Sequence, residues 1–308
     1  MVSAFSLDRN LHVSESMTIH SKYPNSSFLS TLTGHLIDLP QRVADLFCAL
    51  DGLEDSNFST ALDADPLARI WEMMVATILK ESGLTVFSSG GIGPDFTTVN
   101  HSKKIVVEAI CATPGEDGRP DSVPPLVPRP DFQKVPVDQL LLRIRSAIHD
   151  KKQVLDRYRE TGVISSEDLC VIAISSSKLS QARSCVPCLG VTATLGYGGP
   201  YAVFDSRTAE KIEEGLLLKE NVRKVNNSLV DTLAFLDDSN SMIAGILYSD
   251  ASMYSLNFAL TEATYFIHNP KAQQCVLPGT FKVGHELWTI LSTEGDCWKT
   301  YDITRSAS

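Results

Sequence analysis

Apolar positions along this chain recur either at helical spacing or as short continuous runs. Leu36, Leu39, Val43, Leu46, Phe47 and Leu50 follow a helical period over Leu36–Leu53, with Pro40 in the first turn, and predict a packing helix. A second stripe of Leu67, Ile70, Trp71, Met74, Ile78 and Leu79 opens behind a capping Asp65 and a Pro66 suited to the first helical position, and Gly83 ends it. A third, Val137, Leu140, Leu141, Ile144, Ala147, Ile148, Leu155 and Tyr158, predicts a long amphipathic helix over Val137–Tyr158. Strand-like runs fill the interval: Leu84–Ser88, the PDFTTV segment carrying Asp95, and Val106, Val107, Ala109, Ile110 and Cys111 around Glu108. An Asn-His-Ser turn at Asn100–Ser102 predicts that the last two form a hairpin. Asp168–Ser176, DLCVIAISS, predicts a buried strand parallel to a neighbour, reached across the long helix. Helix, three strands, helix and strand in that order predict an α/β fold with a mixed central sheet flanked by helices.

The flanking regions predict less. Residues 1–30 hold eight serines and little periodicity, so residues 1–60 are expected to be a Ser-rich leader followed by the packing helix, and 61–180 the core. Between Thr113 and Pro136, seven prolines and two glycines forbid regular structure and predict a flap beside Glu108, with Arg119 and Arg129 as phosphate contacts. In 181–308, GYGGP predicts a loop and Ala209–Leu218 a short helix. Leu229–Leu236, Met242–Tyr248, Thr264–His268 and Leu287–Leu291 predict strands that extend the sheet, making this region a C-terminal α+β extension.

Composition narrows the function classes. The hydrophobic content of 43% supports a sizeable core, and the longest apolar run, Met242–Tyr248, is far too short to span a bilayer. A formal charge of −10 argues against tight nonspecific nucleic-acid binding, so any polyanion must meet a local basic patch. The long helix offers one: six Lys or Arg stand against four acids between Val137 and Glu160, with Arg143, Arg145, Lys152, Arg157 and Arg159 on its outer face or margin. Seven cysteines spread through apolar segments suit reduced thiols and a cytoplasmic location. Cys185 and Cys188 form a single CxxC without the second pair or nearby histidines that zinc requires. The glycines before Asp95 lack the lysine of a phosphate loop, and His268 before its turn reads as structural.

Chemistry concentrates on two acids. Glu108 stands inside a strand buried on both faces, where a carboxylate costs several kcal/mol unless compensated, and a metal ion is the simplest compensation. The hairpin brings Asp95 to the neighbouring strand. An acid in a PD dipeptide, a hairpin, and an acid on a hydrophobic strand together resemble the PD-(D/E)XK, or restriction-endonuclease-like, nuclease superfamily. The resemblance covers roughly residues 60–176 and implies a restriction-endonuclease-like core, Mg²⁺ or Mn²⁺ held by Asp95 and Glu108, and hydrolysis of DNA or RNA phosphodiesters. It also implies a metal-orienting role or a third ligand at Glu72, on the flank of the Trp71 stripe. The chain departs from the pattern at Ile110, where a lysine is expected two residues after the second acid. The long helix is expected to supply that lysine at Lys151, which belongs to the buried stripe, while Lys152 points about 100° away and is expected to serve binding. Arg143, Arg145, Lys152 and Arg119 are then the expected nucleic-acid contacts, and a homo-oligomer stays open. Without the strand lysine, the same fold could instead be a catalytically inactive binding or structural module. A third class, thiol catalysis at Cys111 or Cys185, lacks a nearby histidine.

Overall fold

A computed structural model describes residues 19, 21–32, 39–91, 93–126, 133–251, 262–291 and 298–304. Most of the expected leader, and Arg129, lie outside the described residues. The N-terminal part contributes helices α1 (Ser27–Leu32), α2 (Leu39–Leu50), α3 (Phe58–Ala64) and α4 (Pro66–Glu81). Helix α4 starts where the sequence punctuates it: the Asp65 side chain accepts the Ala68 N–H and Pro66 takes the first helical position. Strands β1 (Val86–Phe87), β2 (Phe96–Asn100) and β3 (Lys103–Cys111) follow, then helix α5 (Val137–Glu160) and strand β4 (Leu169–Ser175). His101 and Ser102, at φ 46° and 66°, form the two-residue turn of the β2–β3 hairpin, the left-handed pairing that matches strand twist.

Further along come helix α6 (Leu189–Leu195) and strands β5 (Tyr197–Phe204), β6 (Lys211–Leu218), β7 (Asn221–Arg223), β8 (Leu229–Asp231), β9 (Ile243–Ser249), β10 (Thr264–His268), β11 (His285–Leu291) and β12 (Trp298–Asp302). Eight strands make one mixed sheet in the order β1-β2-β3-β4-β9-β10-β11-β12. Its centre is parallel: β3 pairs with β4, and β4 with β9, in the same direction, whereas the β1–β2–β3 and β9–β10 pairings are antiparallel. The C-terminal region therefore supplies four strands to the sheet that carries Glu108.

Three expectations for this region are corrected. GYGGP is not a loop, because Gly196, at φ 73°, caps α6 and the chain enters β5 at Tyr197. The segment expected as a helix over Ala209–Leu218 is β6, paired antiparallel with β5. Its Glu and Leu residues favour helix locally, but pairing with β5 satisfies the backbone of both segments at once. The strand expected over Leu229–Leu236 is shorter, and it pairs with β7 in a separate ribbon rather than extending the sheet.

Both faces of the sheet are covered. On one, Phe47, Trp71 and Met74 of α2 and α4 pack against Val107, Val171, Leu247 and Phe266. On the other, Leu141, Ile144, Ile148 and Leu155 of α5 pack against Val106, Ile172, Ile174 and Ile246. Residues of β3 two apart share a face, so Glu108 points to the α5 side with Val106. Among the described residues, no helix is long and apolar enough to cross a membrane.

Candidate functional site

The ladder between β2 and β3 ends at the Phe96–Val107 pair, and the next strand N–H on that edge is free to meet a side chain. Asp95, just before β2, takes it: its Oδ2 accepts the Ala109 N–H at 2.7 Å. This bond fixes a carboxylate beside the middle of β3 using one residue from a turn and one backbone donor. Glu108, 2% exposed, lies next to it on the α5 face.

Lys151 of α5 joins the two acids. Its Nζ donates to Glu108 Oε2 at 2.6 Å and lies 3.5 Å from Asp95 Oδ2. Burial of this ammonium works against its charge, but the Asp95 and Glu108 carboxylates overcome that effect and hold Lys151 above the usual lysine range. For Glu108 the balance runs the other way: burial and the like charge of Asp95 raise its pKa further than Lys151 lowers it. Its second oxygen, Oε1, is buried without a hydrogen-bond partner. Tyr158, two turns beyond Lys151 on the same helix, sits beside Glu108, and burial together with the Glu108 and Asp95 charges pushes its hydroxyl up to about 12.

Asp95 and Lys151 open onto a cleft of about 460 Å³ between the start of α4 and the middle of α5, lined among others by Arg69, Glu72, Arg143 and Lys178. Glu72 accepts a hydrogen bond from Arg69 at 2.7 Å. Burial pushes its carboxyl up to about 8, more than Arg69 can offset, and the Asp95 and Asp55 charges add to the rise. Arg143 donates through Nε to the Thr113 carbonyl at 2.7 Å, at the root of the Pro-rich segment. Lys178, three residues past β4, is ion-paired with Asp65, the residue that caps α4.

The structure thus brings Asp95, Glu108 and Lys151 into contact and places Glu72 and Arg143 in the same cleft. It does not bring in the remaining expected contacts. Lys152 pairs with Asp156 one turn along α5, at 2.7 Å. Arg145, expected on the outer face or margin of α5, is half-buried outside the cleft, near Asp231 and Asp237, and its Nε is buried without a partner. Arg119 is exposed and paired with Glu116. Among the described residues no cluster of three His, Cys, Asp or Glu side chains is arranged to hold a metal. The thiols fit a passive role: burial raises Cys111, and Cys185 is pushed up to about 11 by burial and Asp250. His268 is buried and bonded to Glu286 at 2.7 Å.

Sequence reasoning missed Lys178 and Thr113 as cleft residues and Tyr158 as a neighbour of Glu108. A signal existed for the first two, since both follow the C-terminal ends of adjacent parallel strands, β4 and β3, where open α/β sheets gather functional groups. Tyr158 carried no such signal, because its position on the apolar stripe is also what packing requires. Comparison of the chain with protein-family models, with curated proteins and with solved structures found no match.

Proposed function

We propose that this chain is a metal-dependent phosphodiesterase acting on DNA or RNA, on a restriction-endonuclease-like core in which α5 supplies the lysine that β3 lacks. The observation that carries the reading is the Lys151 ammonium, 2.6 Å from Glu108 and 3.5 Å from Asp95, on the same sheet face as Ile110, where the strand lysine is absent. A charged, half-buried lysine held beside two acids at the edge of an open cleft is more than packing demands.

The donor set fits a hard divalent ion. Asp95 and Glu108 would hold Mg²⁺ or Mn²⁺, and the unpartnered, buried Glu108 Oε1 is a carboxylate oxygen lacking a positive partner. Bound there, the ion would supply charge neutralisation at the phosphate and a more acidic water. Lys151 holds its proton too tightly to serve as a base at neutral pH. Its role is electrostatic: it steadies the two carboxylates and offers an N–H donor to the developing charge on the phosphate. Glu72, with its carboxyl near 8 and Arg69 at 2.7 Å, orients the entrance beside Asp95.

Purified protein with Mg²⁺ or Mn²⁺ is expected to cleave single-stranded or duplex DNA or RNA, and Glu108→Gln and Asp95→Asn are expected to lose cleavage while keeping the fold. Equal cleavage by wild type and both variants would sink the assignment. A second reading, an inactive binding module, draws on Lys151 already neutralising the acid pair. Calorimetric titration separates the two, because only the hydrolase reading expects divalent-metal binding that disappears in Glu108→Gln.

A further inference from the structure

Four cations line the cleft, and three have acidic partners: Lys151 with Asp95 and Glu108, Arg69 with Glu72, and Lys178 with Asp65. Arg143 differs. Among the described residues it has no acid within ion-pair distance, and it is anchored only by neutral acceptors: Nε to the Thr113 carbonyl at 2.7 Å and one terminal nitrogen to Thr113 Oγ1 at 3.4 Å. The departing chain turns at Gly115, whose φ of 98° and close approach to Ser122 call for glycine, and it passes beside the other terminal nitrogen, Nη1, which lies 3.4 Å from where a Cβ on Gly115 would stand. The side chain is thereby oriented through one edge while Nη1 keeps its donors, and a guanidinium so held is suited to an oxyanion.

Lys178 reaches the same cleft from the end of β4, whereas Arg143 reaches it from α5. Arg143 and Lys151 lie eight residues apart on one helix, a separation of about 12 Å along its axis. We infer that Arg143 and Lys178 form a second phosphate subsite, so that the substrate is a nucleic-acid strand gripped at a phosphate several nucleotides from the bond being cut. This inference rests on the hydrolase reading for its scissile position. A stacked strand advances roughly 3.4 Å per nucleotide, so the separation corresponds to three or four nucleotides when stacked and fewer when extended. Lys178 would exchange Asp65 for the incoming phosphate, and Arg143 would meet it without first losing an acidic partner.

The test has a binding arm and a turnover arm, both on the full chain. Affinity for a labelled single-stranded oligonucleotide, in a metal chelator, is measured by fluorescence anisotropy across a salt series for wild type, Arg143→Gln and Lys178→Gln. Each variant is expected to bind about tenfold more weakly, with the slope of log affinity against log salt reduced by about 0.7 to 1. In turnover, the rise in KM caused by Arg143→Gln is expected to be about tenfold larger for the oligonucleotide than for bis(p-nitrophenyl) phosphate, which has a single phosphate. Wild-type affinity and slope in both variants would overturn the subsite, as would equal KM changes on the two substrates. If the slope falls but wild type cleaves nothing, the hydrolase reading fails and the subsite stands. If wild type cleaves and the variants bind like it, the reverse holds.

Discussion

At the scale of single residues, the ion pair of Lys151 and Glu108 is both a liability and a tool. Glu108 is 2% exposed and the Lys151 side chain 17%, so removing Lys151 strips the buried Glu108 carboxyl of its cation, whereas removing Glu108 still leaves Lys151 3.5 Å from Asp95. Lys151→Met is therefore expected to lower unfolding stability by about 3 kcal/mol in urea titrations, and the double variant with Glu108→Gln to recover part of that loss. Additive losses would mean that the two groups are not coupled. Glu72 supplies a separate pH signature. Its folded-state carboxyl is raised from 4.5 to about 8, so between these values the unfolded chain has released a proton that the folded chain keeps. Stability from this group is fully present at low pH, falls as pH rises through that window, and levels off above it. Urea unfolding without metal should show Glu72→Gln losing this part of the slope and gaining stability relative to wild type near pH 8. Identical pH profiles would count against a protonated Glu72.

At the scale of elements, the proposed hydrolase would divide between β3 and α5 a task that one strand could perform. Period-2 geometry puts residue 110 on the face of Glu108, and Ile110 lines the same cleft as Lys151. On that reading, an ammonium reaching in from either position would meet the same pair of acids. Lys151→Met is expected to reduce kcat by roughly a hundredfold, the scale of losing one charge-stabilising donor. Adding Ile110→Lys to it is expected to restore at least about tenfold of the lost rate. If the double variant is as slow as Lys151→Met under conditions where it remains folded, the lysine acts through the geometry of α5 and not simply as a local charge. The same division explains why helix periodicity was informative: Lys151 lies on the stripe of Ile144, Ala147, Ile148 and Leu155, and a stripe that faces a sheet carries its lysine to the sheet.

At the scale of the whole molecule, the formal charge of −10 coexists with a cleft whose cations are mostly paired. On the proposed reading, such a surface would favour local grip of a polyanion at the cleft, where Arg143 has no acidic partner among the described residues, over broad wrapping. The sheet makes this cleft possible. Its parallel β3–β4–β9 centre sets the ends of β3 and β4 side by side, and the α4 and α5 layers on opposite faces converge at the margin where Asp95 sits.

Local chemistry was enough to locate most of the elements and the two acids. The cap and proline before α4, the turn of the β2–β3 hairpin, the stripe of α5 and the apolar run of β4 each act over a few neighbouring residues, so their signals are written contiguously in the chain. Contacts between distant segments decided the rest. Whether Lys211–Leu218 becomes helix or strand depends on its partner β5, and whether Leu229–Asp231 joins the sheet depends on β7 competing for its backbone bonds. The half-burial of Arg145 near Asp231 and Asp237 arises from packing with segments that lie far away in sequence. The free edge of Arg143 and the pairing of Lys178 with Asp65 likewise exist only once β3, β4, α4 and α5 are packed together, because an ion pair or an anchored guanidinium is a property of distances in space, which residue order alone does not specify.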